Sequence, residues 1–474
     1  MTSTKAGGPP ARRAITSLTD RPVGRTLTRM AFPMLAGTLS MQAFNLTDTW
    51  FVAKLGTLPL AAMGFTFPVV MVVACLVRGL GTGGTALISH ALGQGDHDQA
   101  RRVTTHTMIL GIAVVLCISA IGLLTIDPIF RALGATDDVL PMIHDYMTIW
   151  YLGVVFMVLP MVANDAIRAT GDTVRPGMLM MTGSLLNIAL DPIMIFGWMS
   201  FPAMGIRGAA LATIISRGLT CIASFWVLHR RHQLLLLSMP SPKALWQSWR
   251  NVLTIGAPSA FSNLLAPMAA AVITWIIADY GPAAVAATGA GGRIEIFAFM
   301  IPMCLGVSLV PFVGQNFGAG RLDRVREARK LSMGFAAIFG LLTYAMFFFG
   351  APLFARFFSN DPEVIAILSH YLRIVGFGHG MMEVHRYAGF FLNAIHKPIH
   401  AMGVNMLRIL VLLIPFAVVG EMLFGLDGVF WGRMFADVIA GVMGVAWSGT
   451  ILHSLAKSHE VTPPPEEDCL QPVQ

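Results

Sequence analysis

Long apolar stretches recur along almost the whole chain and constrain its fold more than any other feature. A helix needs about 20 mostly apolar residues to cross the hydrocarbon core of a membrane. Strands of a membrane barrel are shorter and alternate in polarity, so these stretches do not fit a barrel. The sequence therefore predicts an all-α polytopic membrane protein with twelve transmembrane helices. The twelve stretches are 30–53, 60–89, 103–126, 141–164, 176–197, 204–228, 252–279, 285–314, 331–355, 364–392, 399–420 and 428–453.

Charged residues are too scarce for most soluble functions. They make up 12% of the 474 residues, about half of the roughly 25% found in soluble domains. So few charges do not cover the surface of globular domains, which argues against a soluble enzyme or a nucleic-acid-binding protein despite the net charge of +7. The five cysteines are scattered over apolar stretches and the C-terminal tail, so no disulfide framework is predicted.

The distribution of basic residues predicts the orientation of the chain. With the N-terminus inside, the inward connections and the two tails hold 21 of the 32 Lys and Arg residues, and the outward connections hold four. Positive charge collects on the cytoplasmic side of membrane proteins. The basic leader is followed by no signal-peptide cleavage site. We therefore expect a multi-pass protein of the cell (inner or plasma) membrane with both termini in the cytoplasm.

The two halves of the chain are predicted to be a tandem duplication. A constant shift of 225 residues places Pro33 on Pro258 and Tyr146 on Tyr371. Each repeat holds six apolar stretches, so both halves insert with the same orientation, as in transporters whose site lies between two bundles. The predicted parts are a cytoplasmic leader 1–29, an N-terminal six-helix lobe 30–228, a cytoplasmic linker 229–251, a C-terminal six-helix lobe 252–455 and a cytoplasmic tail 456–474.

Four short blocks, taken in order, resemble the multidrug and toxic compound extrusion (MATE) transporters. They are Asn45-Leu-Thr-Asp48, Gly84-Thr-Ala-Leu-Ile-Ser-His90, Asn187-Ile-Ala-Leu-Asp191-Pro192 and Gly314-Gln-Asn-Phe-Gly318. Within that family the chain is similar to the prokaryotic DinF-like branch. The NorM-like branch carries a membrane carboxylate about eight residues after the proline that opens helix seven, and that position is Ala266 here.

The resemblance implies a fold and an activity. The fold is two six-helix lobes related by pseudo-twofold symmetry around a central cleft. The activity is secondary active antiport, in which organic, often cationic and amphipathic compounds leave the cell in exchange for H⁺ or Na⁺ by alternating access. It implies multidrug efflux and xenobiotic transport, with no enzyme activity, no catalytic residues and no cofactor beyond the coupling ion. The expected partners are small-molecule substrates and membrane lipids, not nucleic acid, and a monomer is expected.

Acidic residues inside apolar stretches are the candidates for ion coupling. A charge at the centre of a membrane helix costs at least about 2.5–3.5 kcal/mol, so it faces the interior of the bundle. Burial disfavours an ionised carboxylate, so a buried carboxyl group takes up or releases a proton when its surroundings change. Asp48 is one candidate. Asp191 and Asn187 are another, because a spacing of four places them on one helix face.

The resemblance assigns a joint role to these residues. In the DinF-like branch, the positions that match Asp48, Asn187, Asp191 and Thr213 form a cation or proton site in the N-terminal lobe. A Na⁺ ion at these four residues is one form of this prediction. The structural alternatives are that Asp48 caps its helix or pairs with Lys54, and that Asp191 satisfies backbone groups freed near the following proline.

The remaining candidates concern the cavity and a hinge. Pro33 lacks an N–H and is predicted to act as a hinge in the first helix, the alternative being a static kink. Gln42 and Asn45, on the same stretch as Asp48, are predicted to line the substrate cavity. Glu295 and Glu383 are cavity candidates in the second half, and the alternative is internal ion pairs. Asp437 is expected to pair with Arg433, four residues earlier.

A flippase for a lipid-linked saccharide or another amphipathic lipid is the main alternative function. A flippase for anionic headgroups requires a cationic cavity, and seven arginines lie within the apolar stretches. An ATP-driven pump is disfavoured, because the sequence has no phosphate-binding Gly-rich loop with Lys-Ser or Lys-Thr. A membrane enzyme that holds Mg²⁺ is disfavoured too, since the pair Asp137-Asp138 is isolated.

Overall fold

The computed structural model describes residues 18–198, 201–236 and 240–461, and helices account for nearly all of them. No strand occurs in those three ranges. Most of the predicted leader and of the predicted C-terminal tail lies outside the described residues. The described chain is all-α, as the apolar stretches predicted.

The first half of the chain forms seven helices. Helix α3 begins at Asp96, whose carboxylate accepts a hydrogen bond from the Gln99 N–H at 2.8 Å and so caps the helix. A short helix, α4, follows α3 and was not anticipated. The helices are α1 (Val23–Ala53), α2 (Thr57–Gly93), α3 (His97–Leu124), α4 (Ile126–Ala132), α5 (Leu140–Ala169), α6 (Val174–Phe196) and α7 (Ile206–Val227), which continues as a π-helical segment (Leu228–His232).

The second half repeats this plan with more interruptions. Its helices are α8 (Pro242–Ala278), α9 (Pro282–Ala298), α10 (Met300–Gly318), α11 (Leu322–Phe358), α12 (Pro362–Ala394), α13 (Pro398–Met406) and α14 (Ile414–Val461), with a π-helical segment (Leu407–Leu413) between the last two. The π-helical segment lies just before Pro415, which has no N–H to give to the preceding turn.

Ten helical segments in the described chain are long and apolar enough to cross a membrane. The last of them, Pro398–Leu455, has 58 residues and contains Gly425 with a φ of 63°, so it makes two passes around a sharp bend. Helix α1, with 31 residues, completes the set of twelve, although polar residues such as Gln42 and Asn45 keep it below that hydropathy. The protein therefore has twelve membrane helices in two six-helix lobes.

One predicted span is interrupted. The stretch 285–314 forms α9 and α10, which meet at Phe299. In an unbroken helix, residue 302 would donate its N–H to the carbonyl group of Ala298. Pro302 has no N–H, so α9 ends at Ala298 and a new helix begins at Met300.

The N-terminal lobe comprises α1–α7 and the C-terminal lobe α8–α14. In the first lobe α1 packs on α6, and α5 packs on α2, α3 and α7; in the second, α12 packs on α9, α10, α11 and α14. Helices α1 and α6 approach each other closely at Gly177, where a Cβ atom would lie 2.5 Å from the carbonyl oxygen of Pro33. Large apolar side chains such as Phe349 and Phe357 remain exposed on the outside, as a surface in contact with lipid requires.

The lobes meet on the side where the described chain begins. There α2 packs against α8 and α10, and a shared apolar cluster includes Leu27 of α1, Ala86 of α2 and Leu309 of α10. The side-chain amide of Gln315 donates to the carbonyl oxygen of Ala169 in the other lobe at 2.7 Å. Asp48 lies near the opposite end of α1, beyond this contact.

Candidate functional site

Two carboxyl groups are buried together in the N-terminal lobe. Asp48 of α1 is 7% exposed, and Asp191 of α6 is completely buried. The two carboxyl groups lie close enough to interact electrostatically, and both also interact electrostatically with the hydroxyl group of Tyr146 in α5. The packing of α1 on α6 brings the two acids together.

Asn187 connects Asp191 to α7. With its nitrogen directed to Asp191, the Asn187 amide donates to Oδ2 of that carboxylate at 3.0 Å. Its oxygen then accepts hydrogen bonds from the hydroxyl groups of Thr213 and Ser216, each at 3.2 Å, and from the Thr213 N–H at 3.1 Å. This orientation satisfies every polar atom of the amide, so we assign it. Thr213 therefore lies beside Asn187, and Asp48, Asp191 and Asn187 form one polar site.

Neither acid of this site has a cationic partner. Within the described residues, no Lys, Arg or His side chain lies at salt-bridge distance from Asp48 or Asp191. One carboxylate oxygen of Asp48, Oδ1, is buried without a hydrogen-bond partner. Lys54 does not pair with Asp48, because its ammonium group lies over the Trp50 ring, 3.7 Å from the ring centroid. A small cation or a proton would satisfy these oxygens.

The oxygen atoms present suit either ion. No group of three or more His, Cys, Asp or Glu side chains is arranged to hold a metal ion in the part of the chain that the structure describes. A Na⁺ ion here would use two carboxylates and neutral oxygens such as the Thr213 hydroxyl, which are hard ligands. A proton would need one carboxylate only.

Two residues of the site were missed. From the sequence, Tyr146 was used only to align the two repeats. Its match to Tyr371 is the signal that this position is shared by both lobes. Ser216 lies three residues after Thr213 on the same face of α7, so the helical period was the available signal. Both residues extend the polar site beyond the four predicted members.

The predicted cavity residues of α1 lie outside this buried site. Asn45 is exposed, and its amide donates to the Gln42 side chain at 3.3 Å. The helix runs without interruption through Pro33, so the structure contains one conformation of the predicted hinge.

Glu295 lies in an ion-pair network of the C-terminal lobe. Its Oε2 lies 2.7 Å from Nη2 of Arg433, and its Oε1 lies 3.3 Å from Nε2 of His379. The hydroxyl group of Tyr371 donates to the same carboxylate and accepts a hydrogen bond from Arg433. The expectation that Asp437 pairs with Arg433 is wrong, because Glu295 of α9 takes this arginine instead.

The other two acids of this lobe also lie beside arginines. Asp437 is fully buried, and its Oδ1 accepts hydrogen bonds from Nε and Nη2 of Arg408 at 2.9 and 2.6 Å. Glu383 is fully buried as well, with its Oε1 2.9 Å from Nη1 of Arg386 in an orientation too poor for a hydrogen bond. Helices α9, α12 and α14 thus hold three acids, and the arginines beside them come from α12, α14 and the π-helical segment Leu407–Leu413.

Comparison with known proteins agrees with this architecture. The MatE family model matches residues 33–193 and again 258–419, and the two matches begin 225 residues apart, as the repeat predicted. The "FAD transporter" of Shewanella oneidensis is 36% identical over 90% of this chain and 94% of that protein. The "Multidrug export protein MepA" of Staphylococcus aureus is 26% identical over 89% of this chain and 92% of its own.

Solved structures show the same fold. A crystal structure of the Vibrio cholerae MATE transporter VcmN in its bent form superposes with a TM-score of 0.86 and 32% identity, covering 91% of this chain and 97% of that one. Both halves of the family model, the two six-helix lobes and these relatives agree. The chain therefore belongs to the MatE family, the MATE membrane transporters.

Proposed function

We propose that the protein is a secondary active antiporter that exports organic compounds in exchange for H⁺ or Na⁺. The observation that carries this proposal is the pair of buried acids, Asp48 and Asp191, for which the described residues provide no cationic partner. Such a pair is unfavourable unless an ion or a proton compensates it. Binding and release of that ion would then couple to the conformation of the lobe.

The contact between the lobes supports alternating access. With the termini in the cytoplasm, as the basic residues predict, the lobes meet on the cytoplasmic side, and Asp48 lies toward the outer side. An ion from outside would bind at Asp48 and Asp191 in this state and favour release of the exported compound. Only a difference in affinity between the two states drives such a cycle. The membrane potential contributes about 2.3 kcal/mol per charge per 100 mV.

The relatives support an organic substrate. One is named as a multidrug export protein and another as an FAD transporter, and both names describe organic compounds. We propose that this chain acts as a monomer in the cell membrane, without a cofactor, without enzyme activity and without a nucleic-acid partner. Assignment to the DinF-like branch remains a prediction.

The experiment uses purified protein in liposomes that contain a fluorescent organic cation. A pH gradient and a Na⁺ gradient are imposed separately, and the gradient that moves the dye identifies the coupling ion. Transport driven by either gradient is expected, and neither should act on protein-free liposomes. If neither gradient moves an organic compound while a labelled lipid-linked saccharide crosses the membrane, the protein is a flippase. Three of the seven arginines that favoured a flippase, Arg386, Arg408 and Arg433, lie beside acids of the C-terminal lobe.

A further inference from the structure

An arginine without a partner lies next to the contact between the lobes. Arg78 of α2 directly precedes Gly79, whose backbone packs against Ala260 of α8 in the other lobe. The Arg78 side chain is exposed and forms no ion pair or hydrogen bond with any residue that the structure describes. A lone guanidinium group inside a membrane helix is unfavourable against lipid, so it faces an aqueous cavity or awaits an anion.

A second arginine lies near the first. Arg168 of α5 pairs with Asp165, and its side chain is 15% exposed. The Asp165 carboxylate lies against Gly81 of α2, one helical turn after Arg78, so that a Cβ atom at Gly81 would collide with it. Helices α2 and α5 therefore place the two arginines close together, beside the contact of α2 with α8.

The charges of this region do not balance. Arg168 pairs with Asp165, one turn earlier on α5. Asp165 is the one carboxylate that the described residues place at salt-bridge distance from either arginine. Two guanidinium groups beside one carboxylate leave a net positive charge at the boundary between the lobes.

We propose that Arg78 and Arg168 form a subsite for a phosphate group of the exported compound, so that the substrates of this antiporter include phosphate-bearing organic anions. The planar guanidinium group matches two phosphate oxygens at once, which favours arginine at such sites. Asp165 holds Arg168 in place while the subsite is empty. The inference rests on the proposed export function and adds a substrate class to it.

The test compares two flavins that share one ring system. FAD carries a pyrophosphate group, and riboflavin carries no phosphate. Binding to the detergent-solubilised full chain is followed by quenching of flavin fluorescence. The wild-type protein is expected to bind FAD at least about tenfold more tightly than riboflavin, a difference that charge-assisted hydrogen bonds readily supply. Equal affinities, or no FAD binding, would overturn the subsite.

Variants assign the effect to Arg78. Arg78→Gln should lower the affinity for FAD to that for riboflavin and leave riboflavin binding unchanged, and Arg78→Lys should retain part of it. The matched control is Arg373→Gln, since Arg373 lies in α12 and donates to the Phe348 carbonyl group of α11 at 3.2 Å. An equal loss of both flavins in Arg78→Gln would overturn the proposal, as would unchanged FAD binding.

Two further measurements keep the result interpretable. Inorganic pyrophosphate should displace FAD from the unmodified protein, and no displacement at a large excess of pyrophosphate would contradict the subsite. Asp48→Asn should still bind FAD. FAD binding without transport driven by either gradient in the wild type would refute ion exchange and leave the subsite standing, so the two proposals fail separately.

Discussion

The two lobes share a repeat but treat their most deeply buried acids in opposite ways. Among the described residues, Asp48 and Asp191 of the N-terminal lobe have no cationic partner, whereas Glu383 and Asp437 of the C-terminal lobe, and the partly exposed Glu295, lie beside arginines. Tyr146 and Tyr371 occupy equivalent positions, yet one lies beside unpaired acids and the other inside an ion-pair network. A paired acid stabilises one arrangement of helices, and an unpaired acid remains free to exchange an ion. This contrast supports the proposal that the first lobe exchanges the ion and that the paired acids of the second lobe stabilise its fold.

The largest expected effect is on transport through the unpaired acids. Asp48→Asn and Asp191→Asn should each reduce gradient-driven transport to the level of protein-free liposomes, because an amide neither takes up a proton nor carries the charge that attracts a cation. Melting temperature in detergent should not fall. Asp127→Asn, at an exposed position of α4, is the matched control and should transport normally. Full transport by Asp48→Asn would remove the distinction between the lobes.

The next effect is on stability through the paired acids. Glu295→Gln and Arg433→Gln should each lower the free energy of unfolding by about 3–5 kcal/mol, since each leaves a buried charge without its partner. The double variant should lose less than the sum of the two. Thermal unfolding in detergent measures all three. Single variants as stable as the wild type would show that this network does not support the lobe.

A smaller effect should separate the equivalent prolines. Pro33→Ala restores a backbone N–H in α1, beside the close contact with Gly177, and should slow transport several-fold if α1 bends there during the cycle. Pro258→Ala, at the equivalent position of α8, should transport at close to the wild-type rate, because α8 carries no acid equivalent to Asp48. Turnover is compared at equal amounts of reconstituted protein. Equal rates for Pro33→Ala and the wild type would exclude the hinge.

The smallest effect concerns a paired acid within the N-terminal lobe. Asp172, in the connection between α5 and α6, lies 3.2 Å from Nε2 of His232, accepts a hydrogen bond from the Arg175 N–H and pairs with the Arg175 side chain. Burial disfavours its ionised form, but the hydrogen bonds from His232 and Arg175, together with their charges, outweigh burial and hold the pKa of Asp172 below its usual value.

A lowered pKa stabilises the fold fully above the pKa of the unfolded chain, and this contribution is lost as the pH falls through the pKa of the folded state. Asp172→Asn should therefore destabilise the protein by about 1 kcal/mol near neutral pH. The difference from the wild type should shrink as the pH falls below about 4, because the wild-type carboxylate is then protonated too. Asp127→Asn should show no such trend. A stability difference that does not change with pH would mean that Asp172 acts through its shape and not through its charge. Charge pairing would then not explain the difference between the paired acids and the unpaired Asp48 and Asp191.

The sequence predicted those features that depend on local pattern. Hydropathy located the twelve spans, and the constant shift of 225 residues located the repeat that the family model later matched twice. The spacing of Asn187 and Asp191 placed both on one face of a helix. Each of these depends on a period or a composition that a short segment carries by itself.

Contacts between distant segments could not be predicted in the same way. Glu295 and Arg433 are 138 residues apart and meet only because α9, α12 and α14 pack together. Local spacing suggested Asp437 as the partner of Arg433, and the tertiary contact prevailed. The break at Phe299 was missed for another reason, since Pro302 fits an apolar stretch by composition and interrupts it only through its missing N–H.

Equilibrium ion binding tests the exchange site most directly. Uptake of radioactive Na⁺ and of protons is measured on purified wild-type protein and on Asp48→Asn, Asp191→Asn and Glu295→Gln. Exchange at the unpaired acids predicts that the wild type and Glu295→Gln bind a single ion per chain and that both aspartate variants bind none. Stoichiometric binding that survives in Asp48→Asn, or a wild-type protein that binds neither ion, would contradict it.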